Sequence, residues 1–332
     1  YPAGSFVVNA DQAFRPHVID MFEPQDHPDN FAYPGAPPTR PYDNAGWTLA
    51  FQMGVDFDRL FDTVRDPALA EVTEWNVTPA PGTVRPGAAG GYLLQHEVLD
   101  SFRALNALGD TPVAMTTEGM VVNGVTYAAG SFWVDGGAAA KLAEVAAKTG
   151  ISAAALTVKP AGLTPLKKPR IGLWDTYGGS MDAGWARWIL EQFDFTFDRV
   201  FAPQLDAGNL NAKYDVLIFV DGAIPAPAAA GRGGRAGGAG GGAPALPVPA
   251  EYAGQQGAMT AATTLPALKQ FVERGGTVIA IGGSATNFGR FLNVPMEDHL
   301  AENGAHLPDT KFYTPGSVLR AKVDTANPRA FG

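Results

Sequence analysis

Tyr214-Asp-Val-Leu-Ile-Phe-Val220 is apolar at nearly every position and does not alternate between apolar and polar residues. This pattern is typical of a parallel strand that is covered on both faces. Thr277-Val-Ile-Ala-Ile281 has the same character, and shorter apolar runs occupy 171–174 and 199–201. Together the four runs predict the strands of one buried sheet.

The segments between these runs show helical periodicity. Two sets of large apolar residues each fall on one face of a helix: Met181, Trp185, Trp188, Ile189 and Phe193, then Leu265, Leu268, Phe271 and Val272. Repeated strand–helix–strand order with right-handed crossovers predicts a doubly wound parallel sheet in an α/β fold. In such a sheet any ligand site lies at the carboxyl ends of the strands.

The beginning of the chain predicts a Pro-rich N-terminal arm. A strand is expected at 5–8 and a helix at 14–22. Six prolines between Glu23 and Tyr42 exclude a helix or a central strand in that stretch. Asp43 is the expected N-cap of a second helix, which ends at Gly54.

A smaller α/β domain is expected next. Its predicted strands and helices lie at 92–95, 100–108, 112–116, 138–148 and 154–158. Asn123-Gly124 between two apolar triplets favours a hairpin with a type I′ turn. A Gly-rich boundary precedes this domain at 87–91, and 163–169 is interpreted as an interdomain linker.

We therefore predict three regions. These are a Pro-rich arm with a helix at 1–60, a small α/β domain at 61–165, and a larger α/β domain at 168–332 with a Gly-rich insertion at 223–249. The core of the insertion, Gly231 to Gly242, matches neither a P-loop nor a dinucleotide-binding loop. Its two arginines could contact RNA, but a flexible insertion is the favoured interpretation in an acidic protein.

The composition excludes several classes of function. The chain has 332 residues, no Cys and a formal net charge of −9. The lack of Cys excludes disulfides, thiolate zinc sites and every mechanism with a cysteine nucleophile. The acidic balance argues against nucleic acid or an anionic membrane surface as a partner, and no apolar run reaches the roughly 18 residues of a membrane span. The two ends of the chain suggest a fragment of a longer protein.

The first candidate loop is Tyr177-Gly-Gly-Ser-Met-Asp182, which lies between a predicted strand and its helix. Backbone N–H groups at a helix N-terminus can bind an anion, and Tyr177 and Ser180 would lie beside it. Ser180 or Asp182 is equally an ordinary N-cap, and Asp182 would repel an anion. Capping is therefore the favoured interpretation of this loop.

The second candidate loop, Gly282-Gly-Ser-Ala-Thr286, superficially resembles a nucleophile elbow. Thr286 replaces the second elbow glycine, and His299 and His306 lie in a polar stretch without the context of a strand end. Ser284 would need its general base within hydrogen-bond reach, so a tight turn into a helix is favoured. No residue is assigned as catalytic, and the candidate ligand-binding residues are Tyr177, Ser180, Asp182, Ser284 and Thr286.

No metal site is predicted in this chain. His299-Leu-Ala-Glu302 has the spacing of a His-x-x-Glu zinc pair and His306 lies close by, but a zinc site also needs a complete ligand set in a rigid cleft. One acidic group in the Pro-rich arm is interpreted as a solvated surface: Asp20, Glu23, Asp26, His27 and Asp29.

Several long strings in the chain resemble one protein family. Phe14-Arg-Pro-His-Val-Ile-Asp-Met-Phe22, continuing to Asp29, and Tyr33 to Val55 look like the segment that follows the catalytic domain in large bacterial zinc metallocarboxypeptidase-like proteins. The similarity continues through Arg170 to Trp174, Gly184 to Phe193 and Phe312 to Arg320. It covers nearly the whole chain except the Gly-rich insertion.

The resemblance implies an exported bacterial peptidase. In that family a zinc domain binds the metal through a His-x-x-Glu pair and a later His, and a Glu acts as general base on the zinc-bound water. Those positions would lie upstream of Tyr1, so none is carried over, and His299 and Glu302 do not take the role. The last domain is similar to the class I glutamine amidotransferase-like, or flavodoxin-like, fold. Active amidotransferases use a Cys nucleophile with His and Glu, which this chain cannot supply.

Three hypotheses follow. In the first, the chain is a non-catalytic accessory region of a zinc carboxypeptidase-like hydrolase, with the upstream peptidase domain and its peptide substrate as partners and with no cofactor of its own. In the second, it is an α/β module that binds a small ligand, such as a sugar or a peptide terminus, where the two candidate loops converge. In the third, it is a serine hydrolase that uses Ser284.

Overall fold

The computed structural model describes most of the chain. The described residues are 1, 4–24, 29–39, 48–74, 77, 81–84, 90–226, 248–297, 299–303, 305–313, 321–325, 327 and 330. The predicted N-cap at Asp43, most of the boundary at 87–91 and most of the insertion at 223–249 lie outside them.

The chain divides into two compact units, each of which is described by itself. Unit 1 comprises Tyr1–Asn76 and Glu297–Val323, and unit 2 comprises Val77–Met296 and Asp324–Gly332. Most of each predicted α/β domain falls within the second unit, but residues 61–76 and 297–323 belong to the first. The three-region division remains a prediction.

Unit 1 contains little regular structure in its described residues. Helix α1 spans Arg15–Phe22, helix α2 spans Leu49–Gln52, and a small hairpin pairs Ala301–Glu302 with Ala305–His306. The strand predicted at 5–8 is wrong, because this segment has no strand partner and its apolar side chains are exposed. A strand is stable only where a neighbour accepts its backbone hydrogen bonds.

The first half of unit 2 is built on an antiparallel sheet. Its elements are β1 (Gly91–Leu94), α3 (Leu99–Ala107), β2 (Val113–Thr116), β3 (Met120–Val122), β4 (Val125–Tyr127), β5 (Phe132–Asp135), α4 (Ala139–Thr149), β6 (Ala154–Leu156) and β7 (Leu163–Pro165). Five of the strands form one sheet in the order β6-β1-β5-β2-β7, and β3 pairs with β4. Asn123 and Gly124 both have positive φ, which confirms the predicted turn between β3 and β4.

The two faces of this sheet bury different elements. Alternate side chains of a strand point to opposite faces, so Tyr92 and Leu94 pack with residues of α3 and α4, whereas Leu93 packs with Trp133 and with the β3–β4 hairpin. The sheet is therefore covered by helices on one face and by a hairpin on the other.

The segment 163–169 is not a free linker. Leu163–Pro165 forms the edge strand β7 and pairs with β2, with Pro165 opposite Ala114. Proline lacks a backbone N–H and is tolerated at the edge of a sheet, where one side of the strand makes no ladder hydrogen bonds. Two prolines in the segment suggested a linker, but they are equally compatible with an edge strand.

The second half of unit 2 is built on a parallel sheet. Its elements are β8 (Ile171–Trp174), α5 (Met181–Gln192), β9 (Phe197–Val200), α6 (Ala202–Asp206), β10 (Val216–Phe219), α7 (Thr264–Glu273), β11 (Thr277–Ala280) and α8 (Gly283–Phe291). The four strands lie in the order β11-β10-β8-β9, and every neighbouring pair is parallel. The protein is thus a mixed α/β protein, as the sequence predicts at that level. Its two larger sheets are a four-stranded parallel sheet and a five-stranded antiparallel sheet.

The large apolar residues of helix α5 lie on one face of the helix, but the helix packs on the core with another face. Ala183 is buried and Ala186 and Leu190 are partly buried against the core of the parallel domain. Met181, Trp185, Trp188 and Ile189 are all more than half exposed. The helix has two apolar faces, and the small side chains of the inner face allow it to lie close to the sheet.

A fork of hydrogen bonds joins the starts of β8 and β10. The guanidinium of Arg170 donates from Nε and one Nη to the two carboxylate oxygens of Asp215, at 2.9 and 2.8 Å. The backbone N–H of Arg170 also donates to Asp215, and the N–H of Asp215 donates to the carbonyl of Arg170. The remaining guanidinium N–H groups reach the carbonyls of Asn211 and Ala212, so this pair fixes how the two central strands align.

Direct contacts hold the two halves of unit 2 together. Asn106 in α3 donates its side-chain amide to the carbonyl of Phe193, at the end of α5. Arg103 lies 3.4 Å from the carboxylate of Asp194, and Lys168 donates to the carbonyl of Asn106. The segment between the two sheets is therefore anchored on both sides.

The Arg170–Asp215 pair makes stability depend on pH in the acid range. Hydrogen bonds from the side chain and the backbone of Arg170 lower the pKa of Asp215 from 3.8 to about 2. Because the folded pKa is the lower one, the contribution is complete above pH 4 and is lost as the pH falls to about 2. Asp215→Asn is expected to reduce the free energy of unfolding at pH 7 by about 1 kcal/mol, a value discounted for solvent screening.

Urea unfolding of both proteins at pH 7, 4 and 2.5 measures this effect. The difference between wild type and Asp215→Asn should shrink as the pH falls. Asp110→Asn, at an exposed position of the antiparallel domain, serves as the matched control and should leave the curve unchanged. A difference that stays constant down to pH 2.5 contradicts the assignment.

Candidate functional site

The first predicted loop forms a capped helix start. Ser180 is the N-cap of α5, and its Oγ accepts a hydrogen bond from the N–H of Ala183 at 3.3 Å. Asp182 is exposed in the first turn, where its negative charge interacts favourably with the helix dipole. Gly178 and Gly179 both have positive φ and turn the chain into the helix. The loop has the geometry of a structural cap.

Tyr177 is the aromatic candidate of this loop, and its side chain is partly accessible to solvent. It is 41% exposed, and its ring centroid lies 6.1 Å from that of Tyr252 in a tilted arrangement. At the base of the loop Asp175 is buried, accepts the N–H of Thr176, and lies 3.6 Å from the guanidinium of Arg199. The carboxylate is therefore occupied by partners of the fold.

Ser284 is completely buried, and its hydroxyl both donates and accepts a hydrogen bond. Its Oγ donates to the carbonyl of Val220 at 2.7 Å and accepts from the N–H of Ile224 at 2.9 Å. A nucleophilic serine gives its proton to a general base, whereas this proton is directed at a backbone carbonyl. Ser284 thus joins the start of α8 to the turn that follows β10.

The turn before α8 depends on Gly282 and Asp221. Gly282 adopts φ +58° and ψ −133°, a conformation that only glycine adopts readily. A Cβ at this position would lie 2.5 Å from Oδ1 of Asp221, and the same oxygen accepts the N–H of Gly283. Asp221 directly follows the apolar run at 214–220, but no pattern in the sequence distinguishes it as a functional residue.

The structure does not place the two candidate loops after neighbouring strands. Tyr177, Ser180 and Asp182 follow β8, Ser284 and Thr286 follow β11, and β10 lies between these strands. Thr286 is partly buried within α8, one turn into the helix. The two loops were expected to converge, which requires neighbouring strands, but β10 separates the strands that they follow.

An open groove lies elsewhere on the parallel domain. It has a volume of about 430 Å³, and residues of α7, β11 and α8 line it, including Val272, Val278 and Phe288. None of the five candidate residues contributes to it. The groove is lined mainly by apolar side chains of the sheet edge and carries no titratable group.

The polar residues that sequence analysis missed include one buried histidine. His96, which follows β1, is buried, and its Nδ1 lies 3.4 Å from Oε2 of Glu97 without the geometry of a hydrogen bond. Ser131, which precedes β5, is also fully buried. Both positions adjoin fully buried strand residues, which is the only signal that the sequence offered for them.

The structure gives no metal site among the residues that it describes. No group of three His, Asp or Glu side chains is close enough to hold an ion there. His299 is exposed, and Glu302 pairs with Lys311. Glu23 of the acidic group binds Arg59 at 2.6 Å, while Asp26 and His27 lie outside the described residues. Within the same residues, no helix is both long enough and apolar enough to cross a membrane.

Replacing Ser284 tests its structural role. Ser284→Ala leaves the N–H of Ile224 without its partner and removes one of the two hydrogen bonds to the carbonyl of Val220. A loss of about 1–3 kcal/mol in the free energy of unfolding is therefore expected. Thr286→Ala, one turn into the same helix, is the matched control and should cost less. Urea denaturation measures both. An unchanged stability in Ser284→Ala contradicts the structural role.

Replacing Gly282 tests the turn. Gly282→Ala combines an unfavourable backbone conformation with a clash against Asp221, and a loss of at least about 2 kcal/mol is expected. Gly222→Ala is the matched control, because Gly222 also has positive φ but a Cβ there would meet nothing within 4 Å. In thermal unfolding, Gly282→Ala should lose more stability than Gly222→Ala. An equal loss of stability in the two variants would show that the clash with Asp221 contributes nothing.

Comparison with known proteins adds no further assignment. No protein-family model, no curated protein and no solved structure matches this chain.

Proposed function

We propose that this chain is a non-catalytic accessory region of a zinc carboxypeptidase-like hydrolase. The observation that carries the proposal is that hydrogen bonds of the fold itself occupy Ser180 and Ser284, the two candidate serines at strand ends of the parallel domain. Ser284 is held between Val220 and Ile224, and Ser180 caps α5. A nucleophile or general base must reach a substrate, and these groups are already engaged.

The parallel domain is proposed to be a doubly wound sheet of the glutamine amidotransferase-like, or flavodoxin-like, type. Its strand order β11-β10-β8-β9 corresponds to 2-1-3-4, with all neighbours parallel. In β10 Leu217 and Phe219 are buried and Val216 and Ile218 are partly buried, as expected for a strand with cover on both faces. The lack of Cys separates this fold from amidotransferase chemistry.

The proposal places zinc in a preceding peptidase domain and not in this region. A catalytic zinc site needs three protein ligands and an open position, and no such group exists among the described residues. Glu302, one half of the His-x-x-Glu match, is paired with Lys311. No step of peptide hydrolysis is therefore assigned to a residue of this chain.

The remaining parts of the proposal rest on the resemblance of Phe14 to Asp29, Tyr33 to Val55 and Gly184 to Phe193 to the carboxypeptidase-like family. In this role the α/β domains pack near the exported peptidase domain and shape the approach of peptide substrates. A packed domain whose strand-end serines Ser180 and Ser284 are engaged by the fold suits that role.

Zinc content and peptidase activity of the purified chain test the proposal. After dialysis against zinc and then buffer, metal analysis is expected to find far less than one zinc per chain, and peptides with free C-termini should remain intact. A zinc carboxypeptidase carried through the same steps is the positive control. One bound zinc per chain together with hydrolysis that EDTA abolishes would contradict a non-catalytic role.

The coding sequence before Tyr1 provides a separate test of the family. It is expected to encode a His-x-x-Glu pair, a later His and a Glu in a domain contiguous with this chain. An upstream sequence without these residues contradicts the carboxypeptidase assignment and leaves the non-catalytic role of the parallel domain untouched.

A further inference from the structure

The strand β11 lies at one edge of the parallel sheet and, within the described residues, pairs with β10 alone. The N–H groups of Thr277 and Ile281 donate to carbonyls of the segment that contains β10. Because the backbone groups of a strand alternate in direction, the N–H and C=O groups of Val278 and Ala280 point away from β10. The outer side of β11 therefore presents open hydrogen-bonding groups.

The other three edges of the two larger sheets carry features that hinder the addition of a strand. The edge at β6 is bordered by Val84, which forms a β-bridge with Ala153. The edge strand β7 contains Pro165, and the edge strand β9 carries the exposed charges of Asp198 and Arg199. Cover, proline and charge are the usual means by which proteins protect a sheet edge.

The edge strand β11 has neither a proline nor a charge. Between Arg274 and Arg290, a stretch that contains the whole strand, the sequence includes no residue of either kind. Ile279 and Ile281 are 46% and 48% exposed. An uninterrupted apolar sequence is typical of a central strand, which has a neighbour on each side. Its occurrence at an open edge indicates that a further strand covers β11.

The open groove of the parallel domain runs along the same edge. Val278 and Ala280 of β11 line it together with Phe288 and Leu292 from α8 and its C-terminal end. Alternate side chains of an added strand would point towards α8 and enter this groove. The groove therefore suits an extended segment whose side chains are apolar and of small or medium size.

We propose that β11 of a second copy of this chain covers the edge, in antiparallel pairing about a two-fold axis between the two Ile279 residues. This register sets Val278 of each copy opposite Ala280 of the other. These are the residues whose backbone groups point outwards, so each can donate to and accept from its counterpart. The edge is thus complementary to itself, as an isologous interface requires.

The same register brings exposed apolar side chains together on both faces of the sheet. The two Ile279 side chains become direct cross-strand neighbours, with Cβ atoms about 4.5–5.5 Å apart, and Ile281 of each copy lies diagonally beside them. The two-fold axis is perpendicular to the sheet, so the grooves of the two copies lie side by side on the α8 face. Every apolar group that β11 exposes gains a partner in this way.

The charges that flank β11 do not oppose the pairing. Arg274 is exposed in the turn before the strand, and the two-fold axis places its two copies at opposite ends of the interface. Arg290 is two residues from both Phe288 and Leu292, so it lies on the far side of α8 from the groove. No pair of like charges is brought together.

The proposed association ends at a dimer. It uses the β11 edge of both copies and leaves the charged strand β9 at each outer edge of a continuous sheet of eight strands, four from each copy. One short strand and one groove form a small interface, below about 1,200 Å². We therefore expect a reversible dimer that dissociates in the range of about 10–100 μM. This inference goes beyond the proposed function and does not depend on it.

Charge substitution at the two-fold axis tests the proposal. Ile279→Lys and Ile279→Glu each set like charges opposite each other, so each variant alone should dissociate at least about tenfold more readily than wild type. An equimolar mixture of the two should regain association, because opposite charges then face each other. Sedimentation equilibrium from about 5 to 300 μM at about 0.1 M salt measures the mass, and wild type should approach twice 34.8 kDa at the upper end.

A control variant and a second measurement make the test specific. Val121→Lys changes an exposed strand valine of the antiparallel domain and should leave association unchanged. Amide hydrogen exchange at 277–281 should slow with rising concentration in wild type but not in Ile279→Lys. Far-UV circular dichroism and urea unfolding of each variant establish that the fold is retained.

Several results would overturn the proposal. A wild-type chain that stays monomeric to about 300 μM is one, and a mixture of the Lys and Glu variants that associates no more than either alone is another. A dimer that Val121→Lys disrupts as strongly as Ile279→Lys also contradicts it. A longer, monomeric form of the protein in which 277–281 is already protected would assign the edge to a strand of the same polypeptide and reject the dimer.

Discussion

The fork between Arg170 and Asp215 sets the alignment on which the parallel domain depends. The two-pronged side-chain contact, a hydrogen bond from the N–H of Arg170 to the carboxylate of Asp215, and one from the N–H of Asp215 to the carbonyl of Arg170 fix Ile171 opposite Val216. This alignment brings Gly172 beside Leu217, where a Cβ would lie 2.7 Å from the side chain of Leu217. Any shift of one residue would place a bulky side chain in that space, so a modest surface pair selects one register for the central strands.

The elements that sequence could predict are those whose pattern is local. The uninterrupted apolar run at 214–220 indicated a covered strand, and Asn123-Gly124 indicated a turn, because each signal reports the demands of its own segment. The run at 5–8 carried a similar signal without becoming a strand, since strand formation also needs a partner that the local sequence does not contain. The opposite error occurred at 163–169, which was predicted to be a linker but contains the strand β7. Its partner β2 lies about 50 residues earlier, so the local sequence gave no sign of the pairing.

In the candidate site, too, features that depend on the local sequence could be predicted, and features that depend on distant partners could not. The position of Ser180 at the start of a helix could be predicted from sequence, because capping is a local property. The position of Ser284 in a turn was also predictable, but its hydrogen bonds to Val220 and Ile224 were not, because these residues lie 64 and 60 positions earlier in the chain. Asp221 escaped notice because a carboxylate after a strand has no distinctive pattern, and its value as a partner of Gly283 exists only in three dimensions. Periodicity placed the large apolar residues of α5 on one face of the helix, but it could not show that this face is exposed, because it counts apolar residues without saying what covers them.

The edge strand β7 has a mechanical consequence. Residues 166–170 alone separate it from β8, and both ends of this segment are held: Leu166 donates to the carbonyl of Val113, while Arg170 joins the parallel sheet. With Asn106 bound to the end of α5, no slack remains to serve as a hinge. The antiparallel and parallel sheets should therefore exchange their amide hydrogens as one cooperative body, and a force applied to either sheet would be carried directly to the other.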